Sequence, residues 1–421
     1  MYIKKVEITN IRSIDHFEMT FDNPAGWHVL IGDNGSGKST ILRSIALALI
    51  GSEQAAALRT NWKDWLRKGE ENGAVSLDLI SDPYFDHYAF EGGFMGVRFD
   101  PEPINLNNSV NLSYKNKDED PNAVKLESNI ILPTLPGWFS SAFGPFRRFT
   151  GGADEWNEVF RNSQLKKLSA HLTLFNESVA LTETVGWVMK QQFQKLEQKN
   201  NYLDGIKELI NSIDFLPGDT KLNDISSDGV TFIDGEGSII SVNQLSDGFR
   251  SILSLTFELL RLITDSYAGL NVFKKTQDGT IFISVPGIVL IDEIDSHLHP
   301  TWQTRIGQWF TKYFPNIQFI VTTHSPLVCR ACEKGSIWRL SAPGSEVESG
   351  QVTGTDRQRL IYGNVLDAYG TDVFGEDVSQ SANAGEMLKE LGDLNLKSFK
   401  GIISEEEKKR MRELKTILPT E

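Results

Sequence analysis

Cysteine is nearly absent: the chain has two in 421 residues, Cys329 and Cys332 in "VCRAC". A zinc or dithiol site would need a second pair or a histidine cluster, and His324 is the one histidine close by, so ordinary buried thiols are expected. Long apolar runs are also missing. None approaches the roughly 18 residues that span a bilayer, and "MYIKKVEITN" alternates as a strand does, so a cytoplasmic protein with no membrane contact is expected. Basic residues are outnumbered, 42 Lys and Arg against 56 Asp and Glu, for a net charge of -14. That balance excludes coating nucleic acid with the whole surface. Local basic runs remain at "PFRRF" (145–149) and "RNSQLKK" (161–167), of a kind that is often just a solvated face. There is no repeat and no low-complexity tract.

What is present is the composition of a globular protein, 40% hydrophobic and 23% charged, in a chain longer than one ordinary domain. Alternation predicts strands at "YIKKVEI", "HFEMTF" and "WHVLI", followed by a glycine-rich turn and a helix, "STILRSIALALIG", that stops at Gly51. From about 74 to 133 short alternating runs ("AVSLDLI", "GVRF", "VNLSY", "NIILPT") predict a β-rich subdomain with loops at 81–93 and 115–124. Residues 154–213 read as helical, with heptads too irregular for an extended coiled coil. Strand character returns at "GVTFI" and "GSIISV". "LSDGFRS" then leads into the amphipathic helix "SILSLTFELLRLI", with Ser246 or Asp247 placed to cap it. Two apolar strands, "GIVLID" and "IQFIVTTH", flank the helix "TWQTRIGQWFTKYF", an order that implies parallel strands buried on both faces. At 404–418, Ser404 and Glu407 stand at capping-box spacing ahead of a terminal helix.

Chemistry concentrates in three places. "GDNGSGKST", Gly32 to Thr40, matches G-x-x-x-x-G-K-[ST] between a strand and a helix. Its backbone amides at Asn34, Gly35, Ser36 and Gly37 would cradle phosphates, Lys38 would reach the β- and γ-phosphates, Ser39 would ligate Mg²⁺ and Thr40 would also bind the nucleotide. "GIVLIDEIDSHLHP" is an apolar strand ending in two acids: Asp292 is placed to hold Mg²⁺ and Glu293 to polarise an attacking water. His324, in "FIVTTHSP" after the next apolar strand, is placed to contact the γ-phosphate.

P-loop, "LSDGF", "DEIDSHLHP" and "TTHSP", in that order, resemble the ABC-type ATPases of the structural-maintenance-of-chromosomes, RecF and OLD kind. The likeness covers about the first fifty residues and 240–340. "ITNIRSI" also looks like this family's first strands, whose arginine, here Arg12, lies near the nucleotide. The resemblance implies an α/β ABC-type P-loop head, a mixed or parallel sheet core with a β-rich subdomain, a helical insertion and a short helical tail. It divides the chain into an N-terminal lobe (1–150), the insertion (151–215), a C-terminal lobe (216–345) and a polar tail (346–421) for partner docking or oligomerisation. It further implies ATP and Mg²⁺ as cofactors and two heads paired around two ATP molecules. Ser246, Asp247 and Gly248 of one head would then face the γ-phosphate held by the other, and Asp295 would line the interface. Asp247 departs from the family's glycine. The family's Mg²⁺-sensing glutamine has no counterpart between Gln54 and Gln164, so "FGPFRRF", with Arg147 and Arg148, is the segment left to occupy that region.

Within the family, "FGPFRRFTGG", "LSDGFRS" and "DEIDSHLHP" look most like the PtuA-type ATPases of Septu and retron anti-phage systems. That likeness implies a homodimer or higher oligomer holding a separate HNH-like nuclease in check, with a retron reverse transcriptase and nucleic acid as further partners. The acid pattern of a Toprim nuclease and the His-Asn cluster of an HNH nuclease are absent from the chain itself. Two alternatives stand beside this reading: a DNA-repair ATPase that clamps DNA ends, and a scaffold that binds nucleotide without hydrolysing it.

Overall fold

The computed structural model describes residues 1–86, 88–89, 97–98, 105–114, 124–129, 137–149, 156–196, 202–212, 215–216, 218–226, 229–341, 348–365, 368 and 382–418. A six-stranded sheet runs in the order Gly350–Gln351, Ser336–Leu340, Gly26–Gly32, Ile317–Thr323, Gly287–Ile291, Ser140–Phe143. All neighbours are parallel except the antiparallel edge pair at Gly350–Gln351. Every residue of Gly287–Ile291 and Ile317–Thr323 is buried, as unbroken apolar runs covered on both faces should be.

A second, antiparallel sheet has the order Ile14–Thr20, Tyr2–Ile11, Asn72–Ile80, Asn105–Tyr114, Val124–Asn129. The first strands and the β-rich segment that follows the P-loop helix therefore form one sheet. The predicted strand at "NIILPT" lies outside the described residues beyond Asn129, as do residues 87 and 90–93 of the first predicted loop and 115–123 of the second. Between the sheets runs the helix Lys38–Ala55, whose Ile41, Leu42, Ile45 and Leu49 share a buried cluster with Val6 and Ile8 of one sheet and Leu290 and Ile320 of the other. Gly51, at φ 81° and ψ 166°, kinks the helix without ending it, and the chain continues helically to Ala55.

Gln318 joins the two sheets directly. Its side-chain amide accepts from Ile3 N at 2.7 Å and donates to Ile3 O at 3.0 Å, with no solvent exposure, so it acts as a peptide group would in a ladder.

On the other face of the six-stranded sheet pack the helices Asp247–Ser266 and Pro300–Tyr313. Trp27 stacks on Phe310 at 6.0 Å and Phe319 closes the group at 5.3 Å from Trp27. Burying side chains of this size is worth about 1.5–3 kcal/mol each. The inserted helix Thr182–Leu196 is tied to Asp247–Ser266 by the buried Glu258, which accepts from Thr184 Oγ1 at 2.7 Å and from Arg261 Nε at 2.8 Å.

The predicted terminal helix is present at Glu405–Ile417 with both halves of its capping box, and Ala382–Phe399 pairs with it as a second helix around Leu391, Leu394 and Leu414. Cys329 and Cys332 are free and buried, and burial raises both thiols above the usual range. Among the described residues one helix, Lys38–Leu58, is long and apolar enough by length and composition to cross a membrane; most of it is covered by the two sheets.

Two buried imidazoles are locked neutral. His28 Nε2 lies 2.9 Å from Pro24 O, which can only accept, so the proton sits there and Nδ1 accepts from Ser336 Oγ at 2.8 Å. His171 Nδ1 faces Lys167 O at 2.6 Å, leaving a buried Nε2 with no partner to meet a second proton. Burial lowers both to about 4. The unfolded chain takes up these protons as pH falls through about 6.5 while the fold refuses them until about 4. Stability is therefore full above pH 6.5 and is expected to fall between 6.5 and 4, by up to about 3 kcal/mol per histidine. Urea unfolding at pH 7.5 and 4.5 checks this: His28→Gln should flatten the dependence, and an unaltered slope would exclude His28 as a source.

Candidate functional site

The strand Gly26–Gly32 delivers the P-loop at the carboxyl end of the parallel sheet, where open α/β sheets place their ligands. Gly37, the helix N-cap, has φ 95°, a left-handed conformation that turns the loop into the helix. Lys38 is 5% exposed and donates through Nζ to Gly32 O at 2.7 Å and Asp33 O at 2.8 Å, so its ammonium is drawn back over the loop. Burial lowers its pKa, against the raising influence of Asp292, Glu293, Asp33 and Asp295. Ser36 Oγ, in a residue only 9% exposed, has no hydrogen-bond partner. An orphaned hydroxyl and a buried cation inside a ring of loop amides fit a phosphate chain.

Across the sheet, Asp292 is 1% exposed and its Oδ1 accepts from Ser39 Oγ at 3.0 Å and from Thr322 Oγ1 at 2.6 Å. A hydroxyl and a carboxylate in contact on adjoining segments are a donor set suited to Mg²⁺. Glu293 sits in a left-handed conformation, φ 46°, pinned by its N–H to Thr322 Oγ1 at 2.8 Å, and its Oε2 accepts from Ser296 Oγ at 2.9 Å. Strain of this kind in a non-glycine residue persists only where neighbours enforce it. Thr322 enforces it here while also holding Asp292. No motif assigns this threonine a role; its one signal in the sequence is a polar pair, Thr322 and Thr323, at the end of a strand whose one other polar residue is Gln318.

Thr323 stands opposite Ile31, so His324 emerges, half-buried, at the level where the P-loop begins. Arg12 occupies the turn between the first two strands at φ 51°, with its N–H on Trp65 O at 2.8 Å and its guanidinium 4.8 Å from the Trp65 ring centroid. Burial and the like charge of Arg43 lower its pKa. The same turn touches the P-loop: a Cβ on Gly37 would lie 3.5 Å from Ile14 and 3.6 Å from Ser13. Asn34, Gly35 and Thr40 belong to the loop and first helical turn as expected.

The signature segment stands apart. Among the described residues, none of Ser246, Asp247 and Gly248 hydrogen-bonds to the P-loop. Ser246 is the N-cap by backbone position, yet its side chain makes no capping bond, which corrects the expectation that it would cap the helix. Asp247 does not cap either; it forms an ion pair with Arg250 one turn on, so the carboxylate standing where the family has glycine carries its own counter-charge. Gly248 packs on the loop after Glu293: a Cβ there would come within 2.6 Å of His297 O. Asp295, in that same loop, keeps one buried carboxylate oxygen without a partner.

"FGPFRRF" lies where the parallel edge strand Ser140–Phe143 ends, with Phe143 opposite Ile291. Arg148 is exposed, but Arg147 is 3% exposed, which removes it from any surface basic patch.

Strand, glycine-rich turn, buried lysine and a facing acid-ended strand define a P-loop nucleotide-binding protein with an α/β core. Residues 28–330 match the family described as "AAA domain, putative AbiEii toxin, Type IV TA system", and the chain belongs to that family. It is 28% identical over 341 residues to the Septu protein PtuA of Bacillus mycoides, covering 80% of this chain and 40% of that protein. It is 27% identical to the "Retron Ec83 probable ATPase" of Escherichia coli, over 80% of this chain and 71% of that one. With the "Retron Vc95 probable ATPase" of Vibrio cholerae it shares 36% identity over 71% of this chain and 66% of the relative. The chain thus spans well under half of the Bacillus protein. Among solved structures, the SMC head domain from Thermotoga maritima aligns with 84% of this chain and 99% of its own at 16% identity and a TM-score of 0.40.

Proposed function

We propose that the chain binds ATP with Mg²⁺, hydrolyses it between two paired heads, and through that pairing controls a separate nuclease effector in anti-phage defence. The observation that carries the nucleotide reading is the 3.0 Å hydrogen bond from Ser39 to Asp292, which joins the P-loop to the acid-ended strand at one point. Ser39 and Asp292 would hold Mg²⁺; Lys38, Ser36 and the loop amides would hold the phosphates; Glu293 and His324 would act at the γ-phosphate. Once bound, ATP with Mg²⁺ supplies the phosphoanhydride to be cleaved and the charge that polarises its oxygens. Glu293 would orient and deprotonate water, its backbone held by Thr322 and its carboxylate by Ser296.

Pairing is supported by the signature tip. Ser246 is exposed, its hydroxyl is not spent on capping, and it borders a cleft of about 670 Å³ with Gly248, His297 and Trp302. A helix N-terminus with an unused hydroxyl suits a phosphate offered from outside, and among the described residues none of the chain's own P-loop hydrogen-bonds to it. The likeness to a Septu protein and to retron ATPases supports the defence reading, in which a retron reverse transcriptase or nucleic acid would be further partners.

Ser246→Arg tests the pairing. The variant should bind ATP as the wild type does but stay a single head in light scattering with ATP, whereas unchanged ATP-dependent pairing would exclude the cross-head role. Co-purification with the products of neighbouring genes, with and without ATP, tests the effector.

A further inference from the structure

Arg147 places a planar cation between the two halves of the machinery. Its Nε donates to Ser251 Oγ at 3.1 Å, Nη1 to Gly144 O at 3.2 Å and Asp292 O at 2.9 Å, and Nη2 to Glu293 O at 3.1 Å. Every one of these acceptors is neutral, although Asp292, Asp295 and Glu293 raise its pKa from nearby; burial outweighs them and lowers it to about 10. The guanidinium has no freedom to reorient: it is 3% exposed, and its fork geometry is rigid. One end grips the two peptide carbonyls behind the metal-side and water-side acids. The other grips Ser251, 2% exposed and one turn into the helix whose N-cap is Ser246.

We propose that Arg147 is a positioning residue that transmits occupancy of the head's own nucleotide site to the signature tip it offers a partner. The proposal rests on the reading that Lys38, Ser39 and Asp292 bind ATP with Mg²⁺. Any shift of the Asp292–Glu293 peptide as the acids take up their ligand must break the fork or move Ser251. Buried charge-assisted bonds to a rigid fork make moving Ser251 the cheaper course. The helix then turns about its far anchor, the Glu258 network with Thr184 and Arg261, so the displacement is largest at Ser246 to Gly248. The sequence has no glutamine between Gln54 and Gln164 to make such a link through an amide.

Ser251→Ala removes one bond and leaves the three carbonyl contacts. In the full chain, ATP affinity is measured first by calorimetry, then amide exchange across 246–256 with and without ATP and Mg²⁺. Wild type should bind ATP and show slowed exchange there. Ser251→Ala should bind within about 3-fold of wild type and lose most of that protection, about a tenfold change, within the span usual for coupled sites. Arg147→Lys, which keeps the charge and loses the fork, should also lose the response and lower kcat with little change in KM. If Ser251→Ala shows the wild-type response, or wild type binds ATP with no change at 246–256, the coupling is overturned. Failure of wild type to bind ATP overturns the nucleotide reading itself, and the calorimetry reports that separately. A purely structural Arg147 would lower the melting temperature of its variants and leave the ATP response in place.

Discussion

Glu293→Gln is expected to bind ATP as the wild type does and to turn it over about 10²-fold more slowly or worse, the loss typical of a general base. The substitution is nearly isosteric, and what holds residue 293 is its backbone: the N–H on Thr322 Oγ1 at 2.8 Å and the carbonyl under Arg147 at 3.1 Å. Both contacts survive. The amide oxygen can still accept from Ser296, so the loop toward Asp295 and His297 keeps its shape. What is lost is the capacity to take a proton from water. Equilibrium binding together with phosphate release in a single turnover reads the two effects apart, and a normal release rate would remove Glu293 from the role of base.

Lys38→Ala should cost ATP affinity at least about 10²-fold, because two losses coincide. A phosphate loses charge-assisted bonds worth about 1.5–3 kcal/mol each. The P-loop also loses the bridge through which Nζ gathers Gly32 O and Asp33 O at 2.7 and 2.8 Å, so the cradle of amides is no longer drawn into shape. Lys38→Met separates the contributions, since it keeps the stem buried and removes the charge. Calorimetry on both variants should show weak or unmeasurable binding, and affinity near wild type in either would exclude this loop as the phosphate site.

The parts of this site that the sequence made legible are those written in consecutive residues. Gly32 to Thr40 carries its own strand, turn and helix signals, and Asp292 and Glu293 end an apolar run, so spacing alone located both. Ser404 and Glu407 announced a capping box in the same local way. Contacts made across the fold left no such trace. Thr322 touches Asp292 from thirty residues away, and Arg147 reaches Ser251 over more than a hundred. Arg147 read as part of a surface run because composition does not reveal burial. Ser246 shows the converse: residue type favoured a cap and its backbone is extended as a cap's is, but its hydroxyl makes no bond to the helix amides. The early strands and the β-rich segment were each readable, but their union into one antiparallel sheet depends on pairings such as Glu7 with Ser76, which alternation cannot specify.

The parallel neighbours of the P-loop strand have a further consequence, one of time. Gly26–Gly32 pairs with Ile317–Thr323 and Ser336–Leu340, so the strand leaves the ribosome almost 300 residues before either partner exists. At the usual 5–20 residues per second, that interval is roughly 15–60 s. Through it Val29, Leu30 and Ile31 have no sheet to enter, and Gln318 is not yet there to splice Ile3 to the core. A nascent chain therefore carries a complete phosphate-loop sequence through that interval without the geometry to use it. Nucleotide can begin to favour the folded state only once Ile317–Thr323 has been made, and until then the apolar strand is a concern for chaperones.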